Sequence, residues 1–106
     1  IRGGTPNVFG YYVFVVQTSS MEPTLKPGDV ILSKTPKDAA GLTAGTIVTF
    51  KTKSGQRVTH RIIDVVAQED KVAYVTKGDN PISSPDVDLL YPEQIEAVFV
   101  YKLPKM

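Results

Sequence analysis

Val8-Phe9-Gly10-Tyr11-Tyr12-Val13-Phe14-Val15-Val16-Gln17 (VFGYYVFVVQ) is dense in β-branched and aromatic residues. It lacks the polar face that a helical period would leave, so it reads as a strand. Its apolar run spans nine residues, Val8 to Val16, with Gly10 inside it. A membrane-spanning helix needs about 20. The same signature recurs along the chain. Val30 to Ser33 reads as a short strand after the turn Lys26-Pro27-Gly28-Asp29, where proline presets φ and glycine accepts a positive one. Thr46 to Lys53 alternates, with Val48 and Phe50 on one face and Thr49 and Lys51 on the other. Ser54-Gly55 reads as a hairpin turn into a long strand, Arg57 to Gln68. Glu69-Asp70 turns that strand into Lys71 to Thr76, and Glu96 to Lys102 closes the chain as a last strand. Lys37 to Gly45 and Lys77 to Pro92 read as loops, and Pro92 to Ile95 as one helical turn with proline at its start. The expected fold is all-β, in antiparallel strands with long loops.

Composition narrows the chemistry. A length of 106 residues fits one domain, 1–106. Twelve basic against 11 acidic residues leave a net charge of +1, without the basic stripe of a nucleic-acid binder. Cysteine is absent, which excludes disulfides, zinc-thiolate sites and thiol nucleophiles. One histidine, His60, leaves metal catalysis only oxygen ligands beside it. No P-loop, dinucleotide fingerprint or G-x-S-x-G elbow is present, and neither a metal nor a cofactor is expected.

Three groups of residues carry chemistry. Thr18-Ser19-Ser20-Met21-Glu22-Pro23 follows the first strand, where scaffolds present reactive groups, although serines there also read as ordinary turn residues. His60 shares a strand face with Val58 and Ile62, as either a core-edge histidine or a general base in a partly dry wall. Lys77-Gly78-Asp79-Asn80, followed by Asp86 and Asp88, carries carboxylates that could orient an imidazole, or is simply a good turn former. Together they give a serine, a histidine and an aspartate. The serine hydroxyl needs a base to take its proton, imidazole can supply one, and a carboxylate fixes the ring's tautomer.

These residues resemble signal peptidase I, of the endoplasmic-reticulum and archaeal type found also in some Gram-positive bacteria. The resemblance runs from about Val13 to Val100. Ser20-Met21-Glu22-Pro23-Thr24-Leu25 is similar to the family's serine box, and Pro27-Gly28-Asp29-Val30-Ile31 to the strand that follows it. Gly45-Thr46-Ile47-Val48-Thr49-Phe50 is similar to the next box. Thr59-His60-Arg61-Ile62 falls where most bacterial members carry a lysine base, and Lys77-Gly78-Asp79-Asn80 is similar to the K-G-D-N box.

The resemblance implies a small β-barrel or sandwich that removes signal peptides from exported pre-proteins after small residues (the A-x-A rule). It implies Ser20 as nucleophile, His60 as general base, and Thr18 with the Ser20 N–H as oxyanion donors. Met21 and Pro23 would touch substrate. The family's second aspartate lies about six residues beyond the box; here that position is Pro85, with Asp86 one residue on and Asp88 three. Asp86 is taken as the orienting carboxylate and Asp79 as a supporting contact. The resemblance also implies an anchoring helix before Ile1 and a catalytic domain on the extracytoplasmic face, or in the lumen in a eukaryote. The partner is then the signal peptide, not nucleic acid. Two alternatives compete: a Ser-Lys peptidase of the self-cleaving repressor type, using Lys51 or Lys53, and a non-catalytic β module that binds an extended peptide by strand addition.

Overall fold

The structure, a computed structural model, describes residues 2–3 and 9–104. Its strands are β1 (Arg2–Gly3), β2 (Tyr11–Val15), β3 (Val30–Lys34), β4 (Ile47–Lys51), β5 (Arg57–Gln68), β6 (Lys71–Lys77) and β7 (Ile95–Lys102). They form one sheet in the order β1-β2-β3-β7-β4-β5-β6, with every neighbouring pair antiparallel. The all-β reading holds. β7 departs from sequence order: it inserts between β3 and β4 and joins the two halves of the sheet.

Apolar clusters lie on both faces. One joins Phe14, Val16, Met21, Leu25, Ile31, Ile47 and Ala97. The other joins Val48, Phe50, Ile62, Tyr74, Leu90 and Ile95. Burying each of the larger side chains contributes roughly 1.5–3 kcal/mol before entropy is counted. Three ladders are interrupted by a bulge, one of them between β3 and β7 at Leu32/Ser33. In β7, Thr49 pairs with Ala97 but Phe50 pairs with Ile95, so Glu96 is the extra residue and Ile95 turns to the face opposite Ala97. In β5, Ile62 pairs with Thr76 but Asp64 with Val75, so Ile63 is the extra residue.

Some strand boundaries differ from the sequence reading. The first long strand begins at Tyr11, because Phe9 (φ 58) and Gly10 (φ 84) form a left-handed turn that closes on Thr35. Val8 lies outside the described residues. The expected strand from Thr46 to Lys53 is shorter, since Thr52 to Gln56 form the turn, with Gly55 at φ 89. β4 is central, both its faces are covered, and the Thr49 hydroxyl is satisfied by that of Thr59 at 2.7 Å. Pro92–Gln94 forms the expected helical turn, and a second short turn, Ala39–Gly41, lies within the loop expected from Lys37 to Gly45.

Candidate active site

The chain leaves β2 at Val15 and stays pinned to the sheet, Val16 N donating to Asp29 O and Gly28 N to Val16 O, both at 2.8 Å. The next segment turns back on itself. Glu22 N reaches Ser19 O at 3.1 Å and Leu25 N reaches Met21 O at 2.9 Å. Met21 and Leu25 are buried in the first apolar cluster and act as anchors on either side of the exposed Pro23. Ser20 is thereby held at the rim, with its Oγ 3.1 Å from Thr18 Oγ1.

The Lys77-Gly78-Asp79-Asn80 loop braces this segment. Asn80 N donates to Ser20 O at 2.9 Å, and Asn80 Nδ2 to Ser19 O at 3.0 Å. Gly78 packs so closely that an added Cβ would lie 2.3 Å from Ser20 O. Only glycine fits there without backbone movement. Gly78→Ala is therefore expected to displace the Ser20 segment, and a reaction that uses the Ser20 hydroxyl is expected to lose about 100-fold in kcat, since misplacing a reacting group by ~1 Å costs that much. Steady-state kinetics on the folded variant check this; wild-type kcat would show that the contact does not set the position of Ser20.

Asp79 does not orient the histidine. Its carboxylate takes a two-pronged ion pair from Arg61, Nε to Oδ1 at 2.9 Å and Nη2 to Oδ2 at 2.8 Å, plus the Thr24 hydroxyl at 2.7 Å. The Arg61 hydrogen bonds hold the Asp79 carboxyl below its ordinary value against the opposing effect of burial, and Asp79 in turn raises Arg61. Arg61 also donates to Gly45 O at 2.7 Å. The expected supporting contact is thus a clamp between β5 and the segment that follows Ser20.

Asp86 takes the other position. Its Oδ2 lies 2.7 Å from His60 Nδ1 and accepts the Thr76 hydroxyl at 2.6 Å, while Asp86 N donates to Thr76 O at 2.8 Å. Burial pushes the Asp86 carboxyl up, but the hydrogen bonds from His60 and Thr76 and the charge of His60 outweigh it, and the group stays below its ordinary value. An ionised carboxylate only accepts, so Nδ1 carries the proton of this contact, and Nε2 is the ring nitrogen left to act as an acceptor. Phe50 meets the ring edge-on at 6.4 Å between centroids. Asp88 lines the pocket on that flank without a hydrogen bond to His60.

Ser20 and His60 line one pocket of about 280 Å³ with Thr18, Met21, Leu25 and Val58. Pro23 is not among its walls. The Ser20 hydroxyl is bonded to Thr18 rather than to His60. The sequence reading brought Ser20, His60, Asp86, Thr18 and Met21 into view. It missed Thr76, whose strand alternation with Tyr74 was a usable signal, and the steric role of Gly78.

The sequence profile of the family described as "Signal peptidase, peptidase S26" matches residues 5–85. Signal peptidase I W of Bacillus subtilis (strain 168) is 40% identical over 96 residues, covering 84% of this chain and 50% of that protein. The chain spans about half the length of this curated relative.

Proposed function

The chain belongs to the signal peptidase family, peptidase S26, and from that premise we propose that it is a serine endopeptidase that removes signal peptides from exported pre-proteins, with Ser20 as nucleophile, His60 as general base and Asp86 as the group that orients the base. The observation that carries this reading is the 2.7 Å contact of His60 Nδ1 with Asp86 Oδ2, on a ring that shares a pocket with Ser20.

The steps follow from these groups. Ser20 Oγ attacks the carbonyl carbon of the scissile bond while His60 Nε2 takes the hydroxyl proton. The tetrahedral oxyanion is met by the Ser20 N–H and the Thr18 hydroxyl, the latter supported by its 3.1 Å approach to Ser20 Oγ. One such donor typically stabilises the transition state by about 3–4 kcal/mol. His60 then gives its proton to the leaving amine, and the C–N bond breaks to leave an acyl-serine. Water attacks that ester, losing a proton to His60, and the proton returns to Ser20 as the signal peptide leaves.

Two features support the substrate class. Val58 to His60 pair with β4, and the ladder to β6 begins at Arg61, so among the described residues this length of β5 has an open edge to which an extended peptide can add. In an extended peptide, residues one and three before the cut face the same way, so both would meet the one pocket walled by Met21, Leu25 and Val58. That geometry favours small side chains at both positions. The family also supports a membrane setting with the site on the extracytoplasmic side. Among the described residues no helix is long and apolar enough to cross a membrane.

The test is cleavage of a pre-protein carrying an A-x-A sequence in detergent, with the cut mapped by mass. One cut after the second alanine is expected, lost when that alanine becomes leucine. Equal cleavage of both substrates would overturn the specificity, and no cleavage of either would overturn the function.

A further inference from the structure

We propose that Thr76 is a positioning residue that holds Asp86 against His60; this rests on the reading of His60 as the base. Thr76 lies on β6, paired with Ile62 of β5, and is buried at 1% exposure on the face that carries Tyr74, Ile62 and His60. The site is well packed, and a valine of the same shape would fit the strand without a hydroxyl to satisfy. The hydroxyl is used: Thr76 Oγ1 donates to Asp86 Oδ2 at 2.6 Å, the same oxygen that lies 2.7 Å from His60 Nδ1.

Asp86 needs such a support. It sits in a loop between Pro85 and Val87, the latter 99% exposed, and outside any strand. Its side chain is itself 30% exposed, so water competes for the carboxylate. Thr76 fixes it twice, through the backbone bond from Asp86 N to Thr76 O at 2.8 Å and through the hydroxyl. The first sets where the loop crosses β6. The second selects the carboxylate rotamer that presents Oδ2 to the ring. Two donors converging on one oxygen define its position better than either alone. Thr76 touches neither substrate nor the reacting atoms, and its effect passes entirely through Asp86.

The chain has one histidine, so a His60 Nδ1–H proton resonance is assigned without ambiguity. Thr76→Val, and Thr76→Ala as a second variant with room to spare, are each expected to lower kcat about tenfold with KM nearly unchanged. Both are expected to lose the low-field Nδ1–H resonance through faster exchange with water. Thr76→Ser, which keeps the hydroxyl, is expected to restore both the rate and the resonance. A folded Thr76→Val or Thr76→Ala protein with wild-type kcat and resonance would overturn the proposal, as would a Thr76→Ser protein as impaired as Thr76→Val. His60→Ala separates this from the underlying reading: if that variant cleaves normally, His60 is not the base, whereas the resonance still reports on whether Thr76 holds Asp86 to the ring.

Discussion

Replacing Ser20 or His60 by alanine is expected to lower kcat/KM for pre-protein cleavage by about 10⁴-fold or more, with the fold retained. Each residue supplies something the other cannot. Without Oγ there is no atom to form the acyl intermediate. Without the imidazole, the hydroxyl keeps its proton and the leaving amine receives none. Residual activity would come from the oxyanion donors and from substrate binding. The two groups act as a unit, so the double variant should be no slower than the worse single variant. Stability should change little in Ser20→Ala, because the side-chain bond lost is the exposed one to Thr18. His60→Ala removes a half-buried ring, but Asp86 keeps its bond from Thr76. Kinetics on a defined A-x-A substrate, with circular dichroism on the same samples, checks both halves of the expectation.

Asp86→Asn is expected to lower kcat about 10³–10⁴-fold at nearly unchanged size and shape. The amide can turn its N–H₂ toward Nδ1, which forces the ring to carry its proton on Nε2 and removes the base that faces Ser20. The imidazolium formed during the reaction also loses its counter-charge. Asp88→Asn is expected to keep wild-type kcat, because Asp88 has no hydrogen bond to His60. If Asp88→Asn were the inactive variant and Asp86→Asn the active one, the assignment of the orienting carboxylate would be reversed.

Much of the fold could be read from residue type. Dense β-branched and aromatic runs mark β2, β5, β6 and β7, and Pro27-Gly28 and Ser54-Gly55 mark turns. The order of the sheet could not be read, because the insertion of β7 between β3 and β4 is a long-range pairing with no local signal. For the same reason the burial of Thr49 could not be read: alternation gives two faces, but only the neighbouring strands decide whether both are covered. The bulges at Ile63 and Glu96 also lack a mark in sequence.

The candidate site divides in the same way. Ser20 and His60 stand out by box and by uniqueness. The carboxylate did not, since three aspartates share an irregular loop with no period to assign their directions. Distance separates them. Asp86 lies on Nδ1, and Asp79 is taken by Arg61, the residue after His60, whose side chain leaves the strand on the opposite face. Gly78 matters for what it lacks, and a missing Cβ shows its meaning only when Ser20 O is seen beneath it.

In the proposed mechanism the lone histidine, and not a lysine, activates Ser20. Lys51 is exposed at the end of β4, and Lys53 lines the pocket on the far flank of His60 rather than the one that holds Ser20. The most direct test is the single-turnover rate of one A-x-A pre-protein with His60→Ala beside Lys51→Ala. His60→Ala is expected to lose cleavage by at least about 10⁴-fold while Lys51→Ala cuts at the wild-type rate. Cleavage retained by His60→Ala and lost in Lys51→Ala would contradict that mechanism.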